Sequence, residues 1–170
     1  AAMDEKAEFP ARLAEEMAAL QYFGLEIPAA FGGAGLDSVS YSIVIEEISK
    51  ASGAMGLCIS VHNSVSTFPV YEFGNEDQRQ KFLVPMAKGE KIGTFCLTEP
   101  NAGSDASSIE TTAVRDGDGY ILNGSKIFVT NGGVSGLKLI FAITNPSERG
   151  REYSVFVVES EREGLEKGAR

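Results

Sequence analysis

The sequence has no tryptophan, a single histidine and only two cysteines among its 170 residues. Cys58 and Cys96 stand in unrelated contexts, so nothing points to a disulfide framework. With His62 as the sole imidazole there is no Cys/His cluster to hold zinc. Positive charge is also scarce: a formal net charge of −9 argues against nucleic acid or an anionic membrane surface as the main partner. A local basic pocket for a phosphate stays open. No apolar run reaches the length of a membrane span, and the N-terminus carries no charged-then-apolar signal pattern. Internal repeats and low-complexity tracts are missing too. These absences fit a cytosolic or organelle-lumen enzyme.

What is present has two textures. Hydrophobic residues make up 43% of the chain, enough for a real core at the upper end of one domain or the lower end of two. Up to about residue 91 the periodicity is helical. Phe9-Pro10 opens one helix, with Leu13, Met17 and Leu20 at helical spacing and Gly24 as a stop. A turn-rich bridge, "IPAAFGGAGLD", leads to a second helix from Ser38, with Tyr41, Val44, Ile45 and Ile48 inward and Glu46 and Glu47 solvated. "AMGLCISVHNSVSTF" is apolar or small nearly all round, which predicts a helix buried between neighbours, with His62 a satisfied core histidine. Asn75 and Gln78 form a capping box, and the amphipathic helix after them breaks near Pro85 and closes at Gly89.

After Lys91 the period becomes that of strands. "IGTFCLT" is the first, and Asp118-Gly119 and Asn123-Gly124 read as hairpin turns between β-prone segments. "IFVTNGG", "LKLIFAIT" and "YSVFVVE" supply further strands. The expected fold class is α+β: an all-α N-terminal domain over 1–91, then an antiparallel β-barrel-like domain over 92–170. The chain ends at Arg170 without a closing element, as though that second domain were cut short.

The stretch "FCLTEPNAGSDA" raises the functional question. Thr98 places a hydroxyl and a backbone N–H at one strand end, suited to the polar edge of a flat heterocycle. Gly103 lets a ligand approach the backbone, and Ser104 adds a hydroxyl. "IFVTNGG" repeats the design with Phe128 and Thr130. Two such strand ends could clamp a planar ligand; two ordinary polar turns would look the same. Glu99 and Asp105 read as loop-positioning carboxylates, and the two cysteines as small core residues.

"CLTEPNAGSDA" resembles the signature of the acyl-CoA dehydrogenase family, and "YILNGSKIFVTNGG" is similar to that family's second flavin-contacting segment. "IPAAFGGAGLD", "EEIS" and "FGNEDQRQKFLVPMAKGEKIGTFCLTEP" resemble its N-terminal helical domain, in order and over essentially the whole chain. "SVHNSV" is similar to short-chain, butyryl-type members. The resemblance implies FAD and the removal of two hydrogens from Cα and Cβ of an acyl-CoA thioester. It places Phe95, Cys96, Leu97 and Thr98 against the flavin, with Gly103 and Ser104 in the loop beyond and Ser104 also touching the thioester substrate. Phe128, Val129 and Thr130 would stand at the ring from the other segment. The family usually has Trp where this chain has Phe128, which keeps the apolar contact and drops an indole N–H.

The resemblance also implies a missing part. The α-proton of the substrate needs a carboxylate base, which the family takes from a C-terminal helical domain that this sequence does not include. The chain is thus expected to be a fragment, with no catalytic residue of its own. An electron-transfer flavoprotein-like acceptor, a homo-oligomeric parent, and a cytoplasmic location in bacteria or the mitochondrial matrix in eukaryotes follow from the same resemblance. Two other readings stay open: a related flavin oxidase or monooxygenase, and a non-catalytic acyl-CoA or protein-binding module.

Overall fold

The computed structural model describes residues 8–147 and 150–168. The expectation drawn from the chain's end at Arg170 lies outside the described residues. Helix α1 (Ala11–Ala19) follows Pro10, and Met17 and Ala14 turn into the core. It stops well before Gly24, where Gln21 takes φ 61, and Leu20 is exposed. Gly24 serves a different purpose. A Cβ there would lie 2.7 Å from the Ala87 carbonyl oxygen, so the glycine allows two backbones to touch. Helix α2 (Ser38–Ala51) is capped by Asp37, whose carboxylate accepts from Ser40 N. Tyr41, Val44, Ile45 and Ile48 pack on the helical core, and Glu46 and Glu47 are exposed.

The next two helical runs share one device. Helix α3 (Gly53–His62) passes through a π turn at Asn63–Thr67 into α4 (Phe68–Phe73), which holds Pro69. Helix α5 (Glu76–Gln78) passes through a π turn at Arg79–Leu83 into α6 (Val84–Ala87), which holds Pro85. In both cases the widened turn ends two residues before the proline. A proline offers no N–H and crowds the carbonyl four residues back, and a π turn relieves both. Pro85 therefore does not break the helix, contrary to the sequence expectation. The capping box at Asn75 and Gln78 is formed on both sides, at 2.9 Å each way. The α3 run is buried at Met55, Cys58, Ile59 and His62, but Leu57 and Phe68 stay exposed, so one face is open.

The sheet is mixed and open, which corrects the antiparallel barrel. Strand β4 (Leu137–Ser147) is central. Along one edge it pairs antiparallel with β5 (Gly150–Glu159). Along the other edge two strands share it end to end and run parallel to it. These are β1 (Gly93–Cys96), against Leu137–Ile140, and β2 (Thr112–Asp116), which meets it at Ile143. Strand β3 (Gly119–Asn123) closes the order as a hairpin with β2. Parallel neighbours need a crossover, and the long passage between β1 and β4 supplies one, whereas β2–β3 and β4–β5 remain antiparallel neighbours.

Local turn signals also resolve differently. The β2–β3 turn centres on Gly117-Asp118, with Asp116 opposite Gly119 and Gly117 at φ 58, which suits a turn needing positive φ at its first central residue. Asn123-Gly124 is no hairpin. A Cβ on Gly124 would sit 2.3 Å from Thr111 Oγ1, so this glycine marks a close crossing of two chain segments. Residues 127–133 form no strand either; Phe128 and Asn131 take φ 53 and 66. The core joins both halves: Ile27, Val70, Leu83, Met86 and Ala87 from the helical side pack with Leu137 and Leu139 of β4.

Candidate functional site

Two hydrogen bonds tie the segment around Phe128 to β1 and its end, and further bonds tie it to α3 and β4. Ile127 N donates to Thr98 O at 2.9 Å. Thr94 Oγ1, fully buried in β1, donates to Thr130 O. Asn131 Nδ2 donates to Cys58 O at 3.1 Å, and Lys138 Nζ, buried in β4, donates to Gly132 O at 3.0 Å and Ser135 Oγ at 2.6 Å. Burial holds the Lys138 ammonium below its ordinary pKa.

Behind the Thr98 end lies a charged hub. Glu99, 4% exposed, accepts Lys126 Nζ at 2.6 Å, Glu110 N at 2.6 Å, Thr111 N at 3.0 Å and Thr111 Oγ1 at 2.5 Å. Lys126 Nζ also donates to Leu97 O at 3.1 Å. Burial works against the Glu99 charge, but Lys126, Thr111 and the two backbone N–H groups outweigh it and hold the carboxyl down at about 2. A carboxylate committed to four donors is no proton acceptor; it fixes the loop. A polar cleft of about 240 Å³ borders this hub at Pro100, Asn101, Glu110 and Gly124, and none of Thr98, Ser104 or Thr130 lines it.

The predicted site residues divide into two kinds. Cys96 is buried core, its thiol pushed up to about 11 by burial against the pull of the Lys138 and Lys126 cations. Phe95 stacks edge-on with Phe141 at 4.8 Å between ring centres. These two shape the strand rather than present polar groups. Thr98 is different: neither its backbone N–H nor its hydroxyl donates to any described residue, and it is only half-buried. The hydroxyls of Ser104 and Thr130 likewise donate to no described residue. Leu97 and Val129 are half-buried between these groups. At Gly103 a Cβ would meet no atom within 4 Å, so its backbone faces open space. Phe128 is 90% exposed, an aromatic side chain with almost no protein contact. Among the described residues these two tied segments therefore leave one N–H, three hydroxyls and an aromatic side chain without a protein partner, open to solvent or to a ligand.

Asp105 is a turn carboxylate. It accepts Ser107 N at 3.1 Å and the hydroxyls of Ser107 and Ser108, which hold its pKa below the ordinary value. His62 is sealed in the helical half. Its Nε2–H donates to Met86 O at 3.1 Å while Nδ1 accepts Gly93 N at 2.8 Å, and burial pushes its pKa down to about 4. Among the described residues no group of three His, Cys, Asp or Glu could hold a metal ion, and no helix is long and apolar enough to cross a membrane. Sequence reasoning missed Lys126, Thr94 and Asn131, because their partners are far along the chain, and Lys138, whose nearby partners lie in an irregular turn with no local spacing to announce them.

Comparison with known proteins follows the same outline. The family model of the acyl-CoA dehydrogenase N-terminal domain matches residues 1–90, and that of the middle domain matches residues 94–170. The chain is 44% identical over 168 residues to an acyl-CoA dehydrogenase of Bacillus subtilis, covering 99% of this chain. It is equally 44% identical to a short-chain specific acyl-CoA dehydrogenase of Clostridium acetobutylicum, again over 99% of this chain. It spans 44% of the length of each of these two relatives. The solved butyryl-CoA dehydrogenase of Megasphaera elsdenii superposes with a TM-score of 0.89 at 38% identity, over 95% of this chain and 43% of that one. With both family models matched in order and relatives this similar along its whole length, the chain belongs to the acyl-CoA dehydrogenase family.

Proposed function

We propose that this chain forms the helical and flavin-facing part of an FAD-dependent acyl-CoA dehydrogenase acting on short acyl thioesters. The observation that carries the reading is the set of unpaired polar groups at Thr98, Ser104 and Thr130 on two segments locked together by Thr94, Ile127 and Lys126. Thr98 N–H and hydroxyl hold the polar edge of the cofactor ring; Phe95, Cys96 and Leu97 set the strand beneath it. Gly103 leaves room for the ligand, and Ser104 reaches both cofactor and thioester. Phe128, Val129 and Thr130 cover the ring from the second segment. Bound there, FAD supplies a two-electron acceptor for the hydrogen leaving Cβ of the thioester. The residues of this site hold and orient, and none of them is a base: Glu99 is spent on Lys126 and Thr111. We assign α-proton removal to the glutamate that the family carries in its C-terminal helical domain. An electron-transfer flavoprotein-like acceptor, a homo-oligomeric parent and a cytoplasmic or mitochondrial-matrix location belong to the same proposal. A solved structure from work on the electron-transferring flavoprotein of Acidaminococcus fermentans supports the acceptor, with a TM-score of 0.91 at 42% identity.

Anaerobic addition of butyryl-CoA to the full-length, FAD-loaded protein tests this. The expected result is bleaching of the flavin absorbance, weakened by Thr98→Val, which removes the hydroxyl at near-constant shape. A full-length protein that takes up no FAD, or keeps its colour with every acyl-CoA offered, overturns the proposal.

A further inference from the structure

Lys126 makes two contacts, and only one of them is with its counter-charge. Its Nζ donates to Glu99 Oε1 at 2.6 Å and to Leu97 O at 3.1 Å. The Leu97 carbonyl and the Thr98 N–H are two ends of one peptide unit. Resonance couples them: a cation that draws electron density onto the oxygen depletes the nitrogen and makes the N–H a stronger donor. That N–H donates to no described residue. The next peptide unit along the chain is held as well, because Thr98 O accepts Ile127 N at 2.9 Å. Lys126 and Glu99 keep only 8% and 4% of their side-chain surface exposed, so the field reaches the peptide through protein rather than water. Glu99 keeps the net charge of the pair near zero. The effect on the peptide is therefore that of one charge-assisted hydrogen bond, about twice a neutral one in strength, rather than that of a bare cation.

We propose that Lys126 is a positioning residue that polarises the Leu97–Thr98 peptide, so that Thr98 N–H binds a negatively charged cofactor ring better than a neutral one. The inference rests on the flavin reading above. Uptake of two electrons and one proton adds one negative charge to a flavin, so a stronger N–H donor at its polar edge favours the reduced form over the oxidised. Lys126 then tunes the cofactor without touching it. The pattern is also economical with charge: Glu99 balances the ammonium while Leu97 O accepts a second hydrogen bond from it.

The test is the reduction potential of the full-length, FAD-loaded protein, measured once FAD stoichiometry has been established for each variant. Lys126→Met is expected to cut the preference for reduced over oxidised flavin by ~3- to 10-fold, about 30 mV more negative at the tenfold end. Lys126→Arg keeps a cationic donor and stays within about twofold of wild type. The double variant Glu99→Gln with Lys126→Met leaves no unpaired charge buried, retains the fold where the single variant is damaged, and shows the same loss. A double or Met variant that binds FAD with an unshifted potential overturns the inference, and so does an Arg variant that loses as much as Met. If the wild type takes up no FAD, the proposed function itself falls and this inference with it.

Discussion

His62 and Asn63 in the helical half, and Glu99 and Lys126 in the sheet half, answer the same packing problem with different chemistry. Asn63 accepts Leu25 N and donates to the Tyr22 and Ile59 carbonyls, while His62 bridges Met86 O and Gly93 N. That hub is neutral, and it ties a loop, a helix end and the start of β1 with hydrogen bonds alone. The sheet hub uses a buried ion pair, with two backbone N–H groups and a threonine completing the carboxylate. The neutral hub leaves its ligating atoms sealed. The charged hub sits directly behind groups that have no partner among the described residues, the Thr98 N–H and hydroxyl. A buried polar group costs stability unless it is satisfied, and both hubs satisfy theirs; the Thr98 groups have no partner among the described residues and stay open to solvent or a ligand.

Breaking the charged hub on one side should give the largest effect. Glu99→Gln leaves the Lys126 ammonium buried without its counter-charge and should cost about 3–5 kcal/mol, read by chemical denaturation. Adding Lys126→Met to it should recover a large part of that loss, a non-additivity that a double-mutant cycle measures directly. Equal and additive losses would mean the pair is a surface contact in disguise.

The neutral hub is broken by acid instead. The folded chain keeps His62 neutral to about 4, whereas the unfolded chain protonates it at its ordinary 6.5. Protons bind the unfolded state first, so stability falls as pH drops from 6.5 to 4, by about 3 kcal/mol in all. His62→Gln keeps a donor and an acceptor and should flatten the melting temperature across that window. The charged hub acts lower: Glu99, held down at about 2 from an ordinary 4.5, gives stability that is present above 4.5 and lost as pH falls towards 2. A wild-type profile flat between pH 6.5 and 4 would show that His62 is not sealed. The smallest effect is expected away from both hubs, where Asn75→Ala removes one side of the capping box and should cost ~1 kcal/mol in the same denaturation assay.

Legibility followed the range of each interaction. The capping box at Asn75 and Gln78 was readable because both partners are three residues apart. The inward face of α2 belongs to the same short range, and so does the Asp37 cap, which sequence reasoning passed over. Hairpin signals were readable as turns but not as strand partners, and Asn123-Gly124 proved to be a crossing against Thr111. Pro85 read as a break because a π turn has no local sequence signature. Thr98, Gly103, Ser104, Phe128 and Thr130 were picked out as a cluster of residue types, and the ties that join them were not, since Lys126 meets Glu99 across 27 residues and Asn131 meets Cys58 across 73.

From the sequence alone came the two textures, the helical periodicity, the capping box at Asn75 and Gln78, the polar residues after Cys96, and through them the family. These rest on periodicity and on contacts a few residues long, which the order of side chains dictates without reference to the rest of the chain. Tertiary structure alone decided that β1 and β2 run parallel to one shared strand, that 127–133 is a pair of turns rather than a strand, and that Lys126 joins Glu99 to the Leu97 carbonyl. Each of these joins residues distant in sequence. Such contacts form only when loop closure is repaid by burial and complete hydrogen bonding, a balance struck by the whole fold.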